Sequence, residues 1–330
     1  MRTIVLPGTG IETSPLGFGC AGLFRVPTKR ERRWLLETAY GDGIRHFDVA
    51  RMYGLGAAER ELGTFARGRR EGIVIATKFG IEPGSLAGPL ALIQGPVRRL
   101  IGAFPSLRES VRTRTARLYE PRRYDATSAR ASLETSLREL GIDQVDLLLL
   151  HEPSPGDVQT EDVAAYLEEA RHAGNIRAWG IAGEPEPTLE VARMFPVTVP
   201  VLQFRDNVLL RTLDHFPPSG LQARITFGAL ATALGATLAH VTADSARLTR
   251  WSEAVGADCR NPDTAVSLLL RYALRANPSG VVLFATTHPK RIRRAAAAAL
   301  GDPTVPDPAL DAFLRLVDAE LRERRAVTRD

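Results

Sequence analysis

Four side chains in this sequence are of types that do acid–base chemistry, and each stands at the end of an apolar run or just beyond it: Asp48, Tyr53, Lys78 and His151. Asp48 closes the stretch Gly43-Ile44-Arg45-His46-Phe47-Asp48, and Tyr53 follows five residues later. Lys78 ends Ile73-Val74-Ile75-Ala76-Thr77-Lys78, and His151 follows Val145-Asp146-Leu147-Leu148-Leu149-Leu150. If these runs are strands covered on both faces, a carboxylate at the end of one is costly to bury unless a cation meets it. Lys78, at the next strand end, supplies that cation. A cation beside a phenol favours the phenolate and lowers its pKa from roughly 10. Tyr53 is therefore expected to act as a general acid or base near neutrality. His151, followed by Glu152-Pro153, is expected to hydrogen-bond an oxygen shared with Tyr53.

Each residue also has a structural reading. A strand-end Asp caps turns, a tyrosine sits on a rim, a histidine packs in a loop, a lysine forms an ion pair. Four such groups at consecutive strand ends favour the reactive set. Lysine usage points the same way: of 43 basic residues only Lys29, Lys78 and Lys290 are lysine. Lysine is a compact point charge that fits where the planar fork of arginine does not.

The elements that must position these groups alternate in a regular order. Apolar runs over 16–19, 44–48, 73–78, 145–150, 176–181, 199–203, 223–227 and 281–284 read as strands. Amphipathic segments over 29–40, 57–66, 128–140, 163–173, 188–194, 264–276 and 289–300 read as the helices between them. Thr28 is placed to cap the first helix, and Gly141 to stop the one before it in the chain. Residues 228–262 read as a loop with a helical piece. Eight strands alternating with helices in one run predict an α/β fold, a parallel (β/α)8 barrel. A hairpin around 7–10 precedes it and an extra helix over 308–322 follows. A doubly wound open sheet would need fewer units, which argues against that nucleotide-binding fold. The whole chain, 1–330, is expected to form one domain. Its rhythm is broken by an insertion at about 80–123, in which 108–117 reads as a short helix. That segment is far longer than an ordinary strand-to-helix loop. Its arginines (Arg98, Arg99, Arg108, Arg112, Arg114, Arg117, Arg122 and Arg123) either charge and narrow a pocket or decorate a surface.

Composition sets the class: 44% hydrophobic and 25% charged residues in 330, with no apolar run near the ~18 residues of a membrane span. The N-terminus lacks the apolar stretch of a signal peptide, and two unspaced cysteines, Cys20 and Cys259, suggest a reducing, cytoplasmic setting. The net charge of +5 comes from arginines scattered along the chain, which argues against a nucleic-acid partner. No His-x-His or carboxylate cluster stands at the strand ends, so no metal is expected.

The tetrad and its surroundings resemble the aldo-keto reductase family. The resemblance rests on Gly43 to Ala50 with Tyr53-Gly54 and Glu59 to Gly63, on Ala76-Thr77-Lys78, on His151-Glu152-Pro153 and on Gly174-Asn175-Ile176-Arg177-Ala178-Trp179-Gly180-Ile181. It implies a (β/α)8 barrel holding an extended nicotinamide cofactor, and hydride transfer between that cofactor and an aldehyde, ketone or alcohol. By the same resemblance Tyr53 is the acid, Lys78 lowers its pKa, Asp48 fixes Lys78 and His151 orients the carbonyl. Gln203 corresponds to the family glutamine on the nicotinamide amide, and Phe227 to an aromatic residue stacked on the ring. Thr286 and Arg291 match phosphate-contacting positions. A 2′-phosphate could meet Arg291, Arg294 or Lys290, which favours NADPH, with NADH possible; alternatively Arg291 and Arg294 form a solvated helix face. The family's Ser-Asn pair is Ala182-Gly183 here, and its adenine-binding Glu-Asn is Arg294-Ala295. Those departures leave room for a second reading, a nucleotide-binding regulatory or scaffold barrel with little turnover.

Overall fold

A computed structural model describes residues 1–84, 119–216, 220–301 and 307–322. Two short strands, β1 (Ile4–Leu6) and β2 (Ile11–Thr13), pair antiparallel as the expected hairpin. Eight parallel strands then close a barrel: β3 (Leu16–Gly19), β4 (His46–Asp48), β5 (Val74–Phe79), β6 (Val145–His151), β7 (Ile176–Gly183), β8 (Val201–Arg205), β9 (Ala223–Phe227) and β10 (Val281–Phe284). Each pairs with the next in chain order, and β10 returns to pair with β3. Helices α1 (Lys29–Gly41), α2 (Ala57–Ala66), α3 (Ala126–Leu140), α4 (Thr160–His172) and α5 (Pro185–Met194) lie between successive strands up to β8. After β9 come α6 (Ala231–Thr242), α7 (Ser245–Val255) and α8 (Pro262–Ala276), and after β10 come α9 (Pro289–Ala298) and α10 (Pro308–Val317). Among the described residues no helix is long and apolar enough to cross a membrane.

Alternation along the strands decides what reaches the barrel interior. Val74 and Ala76 on β5, Leu147 and Leu149 on β6, and Val201 on β8 belong to the inner apolar cluster. Two residues further along each strand stand Lys78, His151 and Gln203, on the same inward face. The intervening Phe47, Ile75, Phe79, Leu148 and Leu150 belong to the outer cluster under the helices. The strands are therefore covered on both sides, and Ile4, Leu6 and Ile11 of the hairpin join the inner cluster.

Local signals explain the helix ends. Thr28 and Glu31 form a reciprocal capping box at α1. Asp125 caps α3 by accepting from the Ser128 amide at 2.8 Å, and Gly141 ends that helix in the left-handed region at φ 67°. Several boundaries differ from expectation. β4 begins at His46, because Ile44 still donates its amide to Ala39 at the end of α1. β8 begins after Pro200, which has no amide to give the ladder. Trp34 does not share the buried side of α1: it is 55% exposed, and Leu35, Leu36, Thr38 and Ala39 are buried. The stretch after β9 holds two helices, α6 and α7, where a loop with one helical piece is expected. The sequence of α6 is alanine-rich and interrupted by Gly235, so its apolar period is faint. The helix expected over 108–117 and the arginines Arg98, Arg99, Arg108, Arg112, Arg114 and Arg117 lie outside the described residues.

A buried histidine and a buried aspartate tie stability to pH. His46 is fully buried, neither ring nitrogen has a partner among the described residues, and burial, then the Lys78 charge, lowers its pKa to about 3. An unfolded histidine takes a proton near pH 6.5, so stability falls as pH drops from there to about 3, at up to about 1.4 kcal/mol per unit. Asp206 acts in the opposite sense, since burial raises its pKa to about 6. Comparing the parent with His46→Leu isolates the histidine. We expect the variant's urea midpoint to decline less steeply between pH 6.5 and 4, and parallel curves would refute the assignment.

Candidate active site

The end of β4 and the loop after it are held by β5. Asp48 ends β4 opposite Ala76, and the Val49 amide donates to the Ala76 carbonyl at 2.8 Å. Lys78, almost fully buried, donates to Asp48 Oδ1 at 2.6 Å and to the Val49 carbonyl at 3.0 Å. Burial disfavours the ammonium, but Asp48 and Tyr53 outweigh it, and the Lys78 pKa stands above the ordinary lysine value. Lys78 Nζ lies 5.3 Å from the centre of the Tyr53 ring. The Tyr53 ring meets His151 edge-on, with centres 5.7 Å apart. Burial, with Lys78 and Arg122 adding to it, holds His151 well below the ordinary histidine range, so the imidazole is neutral near pH 7.

The phenol departs from expectation. Burial raises the Tyr53 pKa, and the pull of Lys78 in the other direction does not cancel it. Desolvation penalises the phenolate more than one cation, itself paired with Asp48, can repay. Tyr53 is thus protonated at neutral pH.

The loop that carries Tyr53 is pinned by a buried network. Arg51 Nη1 donates to Glu59 Oε2 at 2.5 Å and Nε to Glu82 Oε2 at 3.0 Å. The Thr77 hydroxyl donates to Glu59 Oε1 at 2.6 Å, and Ser132 donates to Glu82 Oε1 at 2.6 Å. Arg51, Glu59 and Thr77 are all buried. The loop, α2 and the strand bearing Lys78 are therefore fastened to one another.

Asp48, Tyr53, Lys78, His151, Gln203 and Phe227 line one cavity of about 330 Å³ at the carboxyl ends of the strands. In an eight-stranded α/β barrel this is the face that carries active sites. Gln203 is buried, and its Oε1 has no hydrogen-bond partner among the described residues. Phe227 lies under Arg205, whose guanidinium is 5.3 Å from the ring centre and pairs with Glu184. Thr286, Arg291 and Arg294 do not line this cavity. The Thr286 hydroxyl accepts from the His288 amide at 3.2 Å just before α9, and Arg291 is exposed in the first turn of that helix. Arg294 pairs with Asp263 at 2.6 Å and borders a separate cavity of about 480 Å³ among α8, α9 and α10. Ala295 is fully buried, so nothing from it reaches a ligand.

Sequence reasoning passed over Glu152, Arg51 and Tyr124. Glu152 lines the cavity with a left-handed backbone, φ 52°. Gly183 answers to it: a Cβ there would stand 3.0 Å from Thr188 Oγ1 and 3.4 Å from the Glu152 Cα. A side chain at 183 is disfavoured by that approach. The positive φ of Glu152 leaves no mark in the sequence. Among the described residues no group of three or more His, Cys, Asp or Glu is placed to hold a metal ion.

A family model described as the aldo/keto reductase family matches residues 15–223. The chain belongs to the aldo/keto reductase family. A D-threo-aldose 1-dehydrogenase of a Pseudomonas species is 33% identical over 184 residues, covering 52% of this chain and 50% of that one. The aldo-keto reductase yakc (NADP(+)) of Schizosaccharomyces pombe is 29% identical over 202 residues, covering 59% of this chain and 50% of that protein. The chain thus spans about half the length of the relatives it matches. In fold, an aldo-keto reductase of Bacillus halodurans in its holo form superposes with a TM-score of 0.71, covering 96% of each chain at 19% identity.

Proposed function

We propose that this aldo/keto reductase family member is an NADP(H)-dependent oxidoreductase that interconverts a small aldehyde or ketone with its alcohol. One observation carries the reading: a buried lysine, fixed 2.6 Å from Asp48, lies beneath a protonated tyrosine that meets a neutral histidine edge-on in one cavity. The nicotinamide, when bound, supplies or accepts the hydride at the carbonyl carbon. Tyr53 gives its proton to the carbonyl oxygen in reduction and takes it back in oxidation. Lys78 lowers the cost of the phenolate left behind, and Asp48 keeps Lys78 in place and charged. His151, being neutral, can donate a ring N–H to the carbonyl oxygen and so orient it.

The residues present fit a nicotinamide dinucleotide. The unpartnered Oε1 of buried Gln203 is an acceptor suited to the carboxamide amino group, and Phe227 offers a ring to stack on. At α9 no side chain caps the first amides. With Thr286, Lys290 and Arg291 beside them, these suit a phosphate. Arg294 is held by Asp263 and would have to leave it to contribute. We therefore assign a 2′-phosphate to Arg291 and Lys290 first. The relative yakc bears NADP(+) in its name, which accords with this choice.

A second reading, a nucleotide-binding barrel with little turnover, is favoured by Ala182-Gly183, which offer no side-chain donors to a carboxamide. The two readings separate in one experiment: quenching of NADPH and NADH fluorescence by the protein, followed by oxidation of the bound cofactor on a panel of small aldehydes. The enzyme reading expects tighter NADPH than NADH binding and oxidation by at least one aldehyde. Quenching without oxidation supports the second reading, and no quenching by either cofactor sinks both.

A further inference from the structure

We propose that Tyr124 and Arg122 are positioning residues for His151, so that the far end of the long connection after β5 sets the geometry of the catalytic site. The inference rests on the role given to His151 above. Neither residue lines the cavity; both act on the backbone that carries the histidine.

The problem they solve arises where β6 runs past its neighbour. β5 ends at Phe79, opposite Leu150, so the His151 carbonyl has no ladder partner on that side. A buried carbonyl left without a donor is unfavourable. Tyr124, almost fully buried, donates its hydroxyl to the His151 carbonyl at 2.5 Å. Two residues earlier, Arg122 Nη1 donates to the Glu152 carbonyl at 2.7 Å, and Nη2 pairs with the Glu152 carboxylate at 3.1 Å. Residues two apart on extended chain face the same way, which is how one short segment reaches two consecutive carbonyls. The Glu152 amide is taken by the Ala182 carbonyl at 2.6 Å. Glu152 is thereby held from both sides in the left-handed conformation that non-glycine residues avoid. Strained backbone of this kind persists only where the surroundings over-determine it.

The segment itself is anchored to the other catalytic strands. The two described ends of the connection are zipped by a Pro83–Tyr119 bridge, by the Glu120 amide to the Glu82 carbonyl at 3.0 Å, and by the Arg123 amide to the Gly80 carbonyl at 3.1 Å. Glu82 in turn pairs with Arg51 in the Tyr53 loop. Gly80, two residues beyond Lys78, has φ +104°, and a Cβ there would lie 2.0 Å from Tyr124 Cε1. Only glycine lets the tyrosine ring lie across the end of β5 and reach His151. Burial raises the Tyr124 pKa, so its hydroxyl remains a donor throughout the working pH range.

The test is a double-mutant cycle on the full-length protein, with NADPH and benzaldehyde or whichever small aldehyde is turned over. Tyr124→Phe keeps the ring and removes the hydroxyl. It should lower kcat about 10-fold, the scale of a small misplacement of a catalytic group, with the Kd for NADPH by fluorescence quenching unchanged. In a His151→Gln background the same change should lower kcat less than 2-fold, because the residue it positions is gone. Arg122→Gln, at a half-exposed side chain, should follow the same pattern with a loss of about 3-fold. It decides the matter if Tyr124→Phe does not fold. Equal losses in both backgrounds, or no loss in the parent, overturn the positioning role. If His151→Gln alone leaves kcat unchanged, the functional reading of His151 has failed instead.

Discussion

Tyr53→Phe should lower turnover by about 10²–10⁴-fold, the usual contribution of a positioned acid or base, with NADPH affinity nearly intact. Among the described residues of the cavity, the phenol oxygen is the one group that combines a proton at neutral pH with a cation to stabilise its loss. Burial holds the proton on, and Lys78, 5.3 Å from the ring centre, opposes that burial. Phenylalanine keeps the ring and its edge-on contact with His151, so the cavity should keep its shape. His151 lacks the charge support to substitute, because burial and then Lys78 push it toward the neutral form. The measurement is kcat on the best aldehyde together with the Kd for NADPH by fluorescence quenching. Turnover within 5-fold of the parent would remove Tyr53 from the proton-transfer step. Loss of NADPH binding alongside turnover would mean that the hydroxyl serves the cofactor instead.

Glu59→Ala should destabilise the fold by about 3–5 kcal/mol, the cost of breaking a buried ion pair from one side. Glu59 is fully buried and the Arg51 side chain is 8% exposed. Removing the carboxylate leaves the guanidinium with Glu82, whose side chain is 29% exposed, and leaves the Thr77 hydroxyl without its acceptor. Glu59→Gln retains the hydrogen-bond shape but not the charge, so its loss should be about half as large by the lower strength of neutral hydrogen bonds. Urea midpoints at constant m separate these outcomes, and a loss below about 1 kcal/mol for Glu59→Ala would show that the pair contributes little. Because Arg51 stands two residues before Tyr53, the surviving folded Glu59→Ala protein should also turn over more slowly than its fraction folded predicts.

What could be read from the chain follows the range of the forces that encode it. Apolar runs alternating with amphipathic ones were enough to set eight strands in order and to place Asp48, Lys78 and His151 at the ends of consecutive strands. Thr28 and Gly141 mark helix ends by chemistry confined to one turn. α6 was obscured for the same reason, since an alanine-rich helix next to Gly235 carries almost no period. Arg294 shows the limit at the surface: its charge suggests a phosphate ligand, and only the fold reveals that Asp263, 31 residues away, already holds it.

The sequence by itself determined the barrel, the four titratable side chains that the fold gathers in one cavity and the family, because each depends on residue type at spacings of a few positions. Tertiary structure alone decided the partners of Arg51, the clamp of Arg122 and Tyr124 on the His151–Glu152 backbone and the left-handed turn at Glu152. It also decided the protonation of Tyr53. Those depend on groups roughly 30 residues apart meeting in space and on how much water is excluded where they meet. Desolvation reversed the expected direction of the Tyr53 pKa because it is a property of the packed site, and the order of residues along the chain does not contain it.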